Sequence, residues 1–137
     1  MIDDPLVLVV DDEERFRANM LRLLSMHGLR ALAAAGGHEA LDIVAREPVD
    51  VMLLDMKMPG MNGAEVMAEL AKRPERPEVI FLSGHASLDL PLDQVCRGAC
   101  DYLIKPCTMD TLLAKIETAM ERRRAKRTGL GGKGRMG

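Results

Sequence analysis

The sequence predicts a doubly wound α/β domain, with a five-stranded parallel sheet and five helices. Short apolar runs recur along the chain, segments with helical periodicity separate them, and glycine or proline closes several of these segments. Four of the runs lack the alternation of apolar and polar residues that a half-exposed sheet shows. We therefore expect strands that are covered on both faces, as in a parallel sheet.

Five apolar runs are predicted to be the strands. Four of them are strong and continuous, as is typical of a buried parallel sheet. The second run is weaker and more alternating, so it is predicted to lie at an edge. In chain order the runs are LVLVV (6–10), LRALAAA (29–35), VMLL (51–54), VIFL (79–82) and YLI (102–104).

Four helices are predicted from apolar residues that repeat with helical spacing. The first ends at Gly28, since glycine often terminates helices, and the second must end before Pro48. The third opens with Asn62 as N-cap and Glu65 three residues later, and the last opens with Thr108. The four segments cover residues 12–28, 36–47, 62–73 and 108–124.

The segment between the fourth and fifth strands is the least regular. Pro91 inside a helix would cost about 3 kcal/mol or more, so it is tolerated only in a first turn. We therefore predict a short helix that begins near Asp89 or Leu90 and ends near Gly98. This helix completes the alternation of strands and helices.

Length and composition indicate one domain. The 137 residues suffice for one hydrophobic core, and no apolar run approaches the roughly 18 to 20 residues that span a bilayer. The acidic start of the chain, MIDDPLVLVVDDE, is unlike a signal peptide, so we expect a cytoplasmic protein without a membrane partner. Three cysteines (Cys96, Cys100 and Cys107) are predicted to be reduced thiols.

Charge is distributed unevenly along the chain. Residues 1–120 carry 12 basic and 20 acidic side chains, whereas residues 121–137 carry seven basic and one acidic. No DNA-binding motif accompanies the basic residues, so they are interpreted as a solvated helix end, and no direct nucleic-acid binding is expected. The domain is predicted to span residues 1–124, followed by a flexible, basic, Gly-rich tail or linker stub over 125–137.

Side chains with functional chemistry follow each of the four strong strands. Asp11 and Asp12 follow the first of them, Asp55 the second, Ser83 the third and Lys105 the fourth. Each alone also has a structural interpretation, as a helix cap, a turn residue or a surface charge. Because the carboxyl ends of parallel strands share one edge, where open α/β sheets bind ligands, we expect these residues to lie together.

The residue types at this edge predict a magnesium site that handles phosphate. Three carboxylates repel one another, and one lysine cannot neutralise them. A hard divalent cation can, and Mg²⁺ is favoured because it prefers oxygen ligands. The lysine and the hydroxyl remain to bind a trianionic group, so Asp55 is predicted to attack phosphorus and form an aspartyl phosphate.

Four stretches of the sequence carry a resemblance to a known family. They are VLVVDDE, VMLLDMKMPGMNG, VIFLSGHAS and GACDYLIKP, within a region of about residues 5–122. In these stretches the chain resembles the receiver domain of two-component response regulators and is similar to the single-domain chemotaxis regulator. The resemblance implies a flavodoxin-like sheet with strand order 2-1-3-4-5.

The resemblance implies how the phosphoacceptor and the metal are arranged. Asp55 would be the phosphoacceptor in a phosphorelay. Asp12 and Asp55 would bind Mg²⁺ directly, Asp11 would act largely through water, and the backbone carbonyl of Lys57 would complete the protein ligands.

The resemblance also implies a switch. Lys105 would pair with the phosphoryl group, and Ser83 would move to hydrogen-bond it. Tyr102 would rotate between exposed and buried positions as Ser83 moves, and the Lys105–Pro106 bond would be cis. The surface formed by the fourth helix, fifth strand and fifth helix would then change and transmit the signal.

The implied partners are a sensor histidine kinase and an unknown effector domain or protein, and a homodimer through the switching surface is compatible with the resemblance. Beyond assisting its own phosphoryl transfer and dephosphorylation, the domain is not expected to be an enzyme. The sequence departs from the usual family pattern at Pro91, which lies in the helix that would transmit the signal. Lys57 and His85 occupy positions that tune the lifetime of the phosphoryl group in this family.

Two alternatives remain at this point. One is a degenerate receiver that serves as a docking module without phosphorylation. The other is a Mg²⁺-dependent phosphohydrolase with an aspartate nucleophile, of the haloacid dehalogenase type. That enzyme would need Asp-x-Asp after the first strand and a cap, whereas Asp11 and Asp12 are adjacent and the chain has no spare length.

Overall fold

The structure is a computed structural model that describes residues 5–56, 58–84 and 101–128. Within these ranges, strands and helices alternate along the chain. The strands are β1 (Leu6–Val10), β2 (Arg30–Ala34), β3 (Val51–Asp55), β4 (Glu78–Ser83) and β5 (Asp101–Ile104). The helices are α1 (Glu14–Met26), α2 (Gly37–Arg46), α3 (Gly63–Leu70) and α4 (Met109–Thr128).

The helix predicted near residues 89 to 98, with Pro91 in its first turn, lies outside the described residues. The last helix, counted as the fifth in the sequence analysis, is therefore α4. It continues to Thr128, four residues beyond the domain boundary predicted at residue 124. That boundary, and the tail after it, stay predictions.

The five strands form one parallel sheet in the order β2-β1-β3-β4-β5, which confirms the predicted fold class. The chain leaves β1 toward β2 on one side and returns on the other side to form β3. Between β1 and β3 the direction of winding reverses, and in open α/β sheets the crevice at such a reversal is where ligands bind. The topology therefore places a binding crevice beside the ends of β1 and β3.

The sheet lies between two layers of helices. Because side chains alternate along a strand, Leu8 and Val10 of β1 point to one face, while Val7 and Val9 point to the other. Helices α2 and α3 pack against the first face, and α1 and α4 pack against the second. The two cores fix the positions of the strand ends from both sides.

The expectation that the strong runs are covered on both faces is right for β1, β3 and β4 and wrong for β5. Leu103 is buried, but Tyr102 is 43% exposed and Ile104 is 42% exposed. Tyr102 and Ile104 are exposed because β5 is an edge strand of the described sheet. The three-residue apolar run in the sequence does not distinguish an edge strand from a central one. The weaker run at residues 30–34 is the other edge strand, as predicted.

The helix ends follow the predicted local signals. Gly28, just beyond α1, has φ of +81°, a left-handed conformation that glycine adopts without strain. Asn62 and Glu65 form a reciprocal capping box at the start of α3. The Thr108 hydroxyl accepts a hydrogen bond from the backbone N–H of Thr111 at the start of α4.

The described residues include no helix that is both long enough and apolar enough to cross a membrane.

Candidate functional site

Three carboxylates converge at the ends of β1 and β3, as the sequence predicts. One oxygen from each of Asp11, Asp12 and Asp55 lies within 4.8 Å of the other two. Asp11 and Asp55 are buried, whereas Asp12 is exposed. The cluster therefore has a buried part, formed by Asp11 and Asp55, and an exposed side at Asp12.

The backbone accounts for this convergence. Strands β1 and β3 pair with Val10 opposite Leu54, so the residues that follow, Asp11 and Asp55, are neighbours. The Asp11 N–H donates to the Ala34 carbonyl, which extends the pairing of β1 with β2 by one residue. The Asp11 Oδ1 then accepts a hydrogen bond from the Glu13 N–H at 2.8 Å, at the turn into α1.

The structure does not support the alternative role of Asp12 as the cap of the first helix. Helix α1 begins at Glu14, and its N-cap residue is Glu13, which makes no side-chain capping hydrogen bond. The carboxylate of Asp12 lies instead with Asp11 and Asp55.

Lys105 brings the positive charge to this cluster. Its Nζ lies 2.7 Å from Asp11 Oδ2, and the lysine side chain is 18% exposed. The same Nζ lies 4.3 Å from the centre of the Phe16 ring. The Lys105–Pro106 bond is cis, which confirms that expectation.

Ser83 lies at the same edge of the sheet as the acidic cluster. In the pairing of β3 with β4, Asp55 is opposite Leu82, so Ser83 is one residue further toward the carboxyl end. The Ser83 carbonyl accepts a hydrogen bond from the Lys105 N–H at 2.6 Å, which ties the end of β4 to the lysine. Its side chain is partly buried.

The remaining predicted site residues are one described residue, Tyr102, and two that lie outside the described ranges. Tyr102, the predicted switch aromatic, lies on β5 with its side chain exposed. Lys57, whose carbonyl is the expected fourth protein ligand, and His85 lie outside the described residues.

The donor set fits a hard divalent cation. Three carboxylates and one ammonium leave an excess of negative charge in a partly buried crevice. That charge raises the free energy of the folded protein, because buried carboxylates lose part of their hydration. The donor atoms that the described residues bring to the cluster are all carboxylate oxygens, which suit Mg²⁺ better than zinc or copper. The acidic group is therefore able to bind a metal ion of the kind the sequence predicts.

Cys107 follows this site, and its side chain is partly buried. Burial raises the pKa of its thiol above the ordinary value, while its own backbone hydrogen bond and the charge of Lys105 act in the opposite direction. A raised pKa lowers the thiolate fraction, and the thiolate is the reactive form. Cys107 is a free cysteine in the described part of the chain, and its reduced state stays a prediction.

A second charged cluster, at the amino ends of the strands, was missed. The carboxylate of Asp50 accepts from the Leu6 N–H at 2.9 Å and from Arg123 Nε at 3.0 Å. Buried Glu78 pairs with Lys126 Nζ at 2.6 Å and with Arg122 at 3.5 Å.

The interpretation of the basic residues as a solvated helix end is wrong for Arg123, which is buried. The available signal was an acidic residue directly before each of the apolar runs 51–54 and 79–82, namely Asp50 and Glu78.

The fold and the site define the class of this protein. It is a doubly wound α/β domain with a cluster of carboxylates that could hold a metal ion, at the crevice between the ends of β1 and β3. The model of the response regulator receiver domain family matches residues 7–117. The chain belongs to this family and is thus a receiver domain of two-component signal transduction.

Similar proteins agree with this assignment. The chain is 35% identical over 115 residues to the DNA-binding transcriptional regulator NtrC of Escherichia coli (strain K12), covering 84% of this chain and 24% of that protein. It is 34% identical over 116 residues to the response regulator MprA of Mycolicibacterium vanbaalenii, covering 85% of this chain and 50% of that protein. The chain thus spans a quarter to a half of the length of these relatives.

A solved structure shows the same fold. The crystal structure of a response regulator receiver domain protein from Clostridium thermocellum superposes with a TM-score of 0.80 at 34% sequence identity. The match covers 88% of this chain and 97% of that one.

Proposed function

We propose that this receiver domain accepts a phosphoryl group on Asp55 from a sensor histidine kinase and thereby controls an output. The observation that carries the proposal is the convergence of three carboxylate oxygens within 4.8 Å of one another, with the Lys105 ammonium 2.7 Å from one of those carboxylates. A carboxylate at the rigid end of a strand, beside a cation site and an ammonium, has what an in-line attack on phosphorus requires.

Mg²⁺ is the cofactor that this donor set favours. Asp12 and Asp55 would hold it directly, Asp11 largely through water, and the backbone carbonyl of Lys57 would complete the protein ligands. When bound, Mg²⁺ would neutralise part of the charge on the carboxylates and on the incoming phosphoryl oxygens.

The chain's own residues carry the transfer. A carboxylate oxygen of Asp55 attacks phosphorus, the bond from phosphorus to the donor atom breaks, and the leaving group takes the electron pair. Lys105 supplies an ammonium to the phosphoryl oxygens, and the Ser83 hydroxyl donates a hydrogen bond to them. Hydrolysis of the acyl phosphate by water returns Asp55 to a carboxylate, so the domain is a switch rather than an enzyme with a separate substrate.

The output is a shift between two arrangements of the domain. Ser83 and Lys105 are joined through the backbone, so movement at the phosphoryl group reaches β5, where Tyr102 would change its exposure. The responding surface would include Tyr102 and Ile104 on β5 together with the adjoining helices. It would bind an effector domain or protein, or a second copy of the chain.

The receiver module would end near residue 124, with the basic residues after it leading into a tail or linker. Because the matched region is only 24% to 50% of the length of the relatives named above, we assign the output to a partner domain or protein rather than to the receiver itself.

Intact-mass analysis after incubation with acetyl phosphate and Mg²⁺ tests the proposal. The wild-type chain should gain one phosphoryl group only when Mg²⁺ is present, and Asp55→Asn should gain none. Asp42→Asn, a matched change at an exposed position on α2, should react like the wild type. The absence of an adduct in every protein would instead indicate a receiver that docks partners without phosphorylation.

A further inference from the structure

The Lys105 ammonium has an aromatic neighbour as well as a carboxylate partner. Its Nζ is 2.7 Å from Asp11 Oδ2 and 4.3 Å from the centre of the Phe16 ring. A cation within about 6 Å of a ring centre is attracted by the negative face of the ring. The lysine is thus held from two sides, one charged and one neutral.

The fold makes this contact possible between distant parts of the chain. Phe16 lies in the first turn of α1, and Lys105 follows β5. Helices α1 and α4 cover the same face of the sheet, and Phe16 packs against their shared core together with Cys107 and Met109. The ring therefore lies between α1 and the segment that carries the lysine.

The two attractions respond differently to a bound cation. In the proposed function the Asp11 carboxylate helps to hold Mg²⁺, and a carboxylate shared with a dication attracts an ammonium less strongly. The Phe16 ring carries no net charge, so its attraction to the ammonium does not depend on the carboxylate. Partly desolvated contacts of this kind change an equilibrium constant by a factor of about 2 to 30.

We propose that Phe16 is a positioning residue: its ring keeps the Lys105 ammonium at the mouth of the acidic cluster when Asp11 is engaged with the metal ion. The inference rests on the proposed function for its consequence, but the contact itself can be tested without phosphorylation. Phe16 does not touch the reacting atoms and acts through Lys105.

Nuclear magnetic resonance provides the direct test. A ring face beneath the lysine shifts the resonances of its ε-methylene protons upfield. We expect this shift in the wild type and in Phe16→Tyr, both without and with saturating Mg²⁺, and we expect its loss in Phe16→Leu. If the wild-type resonances lie at the positions of an unstructured lysine when Mg²⁺ is present, the proposal is overturned.

The rate of phosphoryl adduct formation from acetyl phosphate measures the consequence. Phe16→Leu should slow it about 3- to 10-fold, and Phe16→Tyr should retain most of the wild-type rate. Met20→Ala is the matched control, because Met20 is buried in α1 against the same core and has no contact with Lys105 among the described interactions. It should lower stability without slowing the reaction.

Equal slowing in Met20→Ala and Phe16→Leu would assign the effect to packing and overturn the proposal. If the wild type forms no adduct, the proposed function fails instead, and the resonance shift with and without Mg²⁺ still decides the role of Phe16.

Discussion

At the scale of single residues, Asp11 has two side-chain partners at the site. It is 1% exposed, its Oδ1 accepts from the Glu13 N–H, and its Oδ2 accepts from Lys105. A buried carboxylate loses its hydration and needs such partners. A metal ion bound at the carboxylate cluster would therefore compete with Lys105 for the charge of Asp11.

This competition predicts the behaviour of Lys105→Met. Without Mg²⁺ the variant should be about 1 to 3 kcal/mol less stable than the wild type, because the buried Asp11 carboxylate loses the hydrogen bond from its ammonium partner. Mg²⁺ should then increase the free energy of unfolding more in the variant than in the wild type, because no ammonium has to be displaced. Urea unfolding with and without Mg²⁺ measures both effects.

Lys115→Met is the control for that experiment. Lys115 forms an ion pair of the same length, 2.7 Å, with Asp101, and that pair is more exposed and lies at the amino end of β5. Its removal should leave the response to Mg²⁺ unchanged. Equal responses of the wild type and Lys105→Met to Mg²⁺ would show that the lysine and the metal ion do not share Asp11.

At the scale of elements, the last helix is attached to the sheet by charge as well as by apolar packing. Arg123 of α4 donates to Asp50 and to the carbonyl of Arg76, and both ends of the Asp50–Arg123 pair are about nine-tenths buried. Asp50 also accepts from the N–H of Leu6, so one carboxylate joins α4 to β1. The second half of α4 is thus held at the amino ends of the strands.

The neighbouring arginines of α4 provide a matched pair of variants. Arg123→Ala should lower the free energy of unfolding by about 3 kcal/mol, because it leaves the Asp50 carboxylate buried without its cation. Arg124→Ala, one residue away and exposed, should change it by less than about 0.5 kcal/mol. Urea denaturation of both variants measures the difference. If both variants change the free energy of unfolding by similarly small amounts, the Asp50 carboxylate becomes hydrated when Arg123 is removed, and the prediction is wrong.

At the scale of the whole molecule, the carboxyl ends and the amino ends of the strands carry different charged clusters. The carboxyl ends hold the acidic cluster and Lys105, while the amino ends hold the ion pairs of Asp50 and Glu78. The exposed apolar side chains of β5 lie between them at the side of the sheet. A structural charge cluster therefore supports the domain at the end away from the proposed chemistry.

The exposed side chains of β5 predict where copies of the domain would meet. We expect light scattering to show a larger mass for the wild type after phosphorylation with acetyl phosphate and Mg²⁺. Ile104→Ser should remain a monomer, because it removes an apolar side chain that is 42% exposed on the proposed switching surface.

Met26→Ser is the control, since Met26 is also apolar, is 69% exposed and lies at the end of α1. Intact mass must confirm that each protein is phosphorylated. A monomeric phosphorylated wild type, or an Ile104→Ser variant that dimerises normally, would exclude this interface.

The sequence by itself determined the types and order of the described elements and the edge of the sheet where the site lies. Apolar periodicity, the Asn62 capping box and Gly28 are local signals, and Asp11, Asp55, Ser83 and Lys105 were located by the rule that parallel strands end at one edge. These inferences need only neighbouring residues and a general property of parallel sheets.

Only the tertiary structure decided which partners the charged residues have. Lys105 meets Asp11 across 94 residues of sequence, and Arg123 meets Asp50 across 73. Such contacts depend on the order of the strands in the sheet and on how α4 packs against the sheet, and no local pattern contains that information. For the same reason the sequence did not show that Phe16 lies beneath Lys105 or that β5 is half exposed.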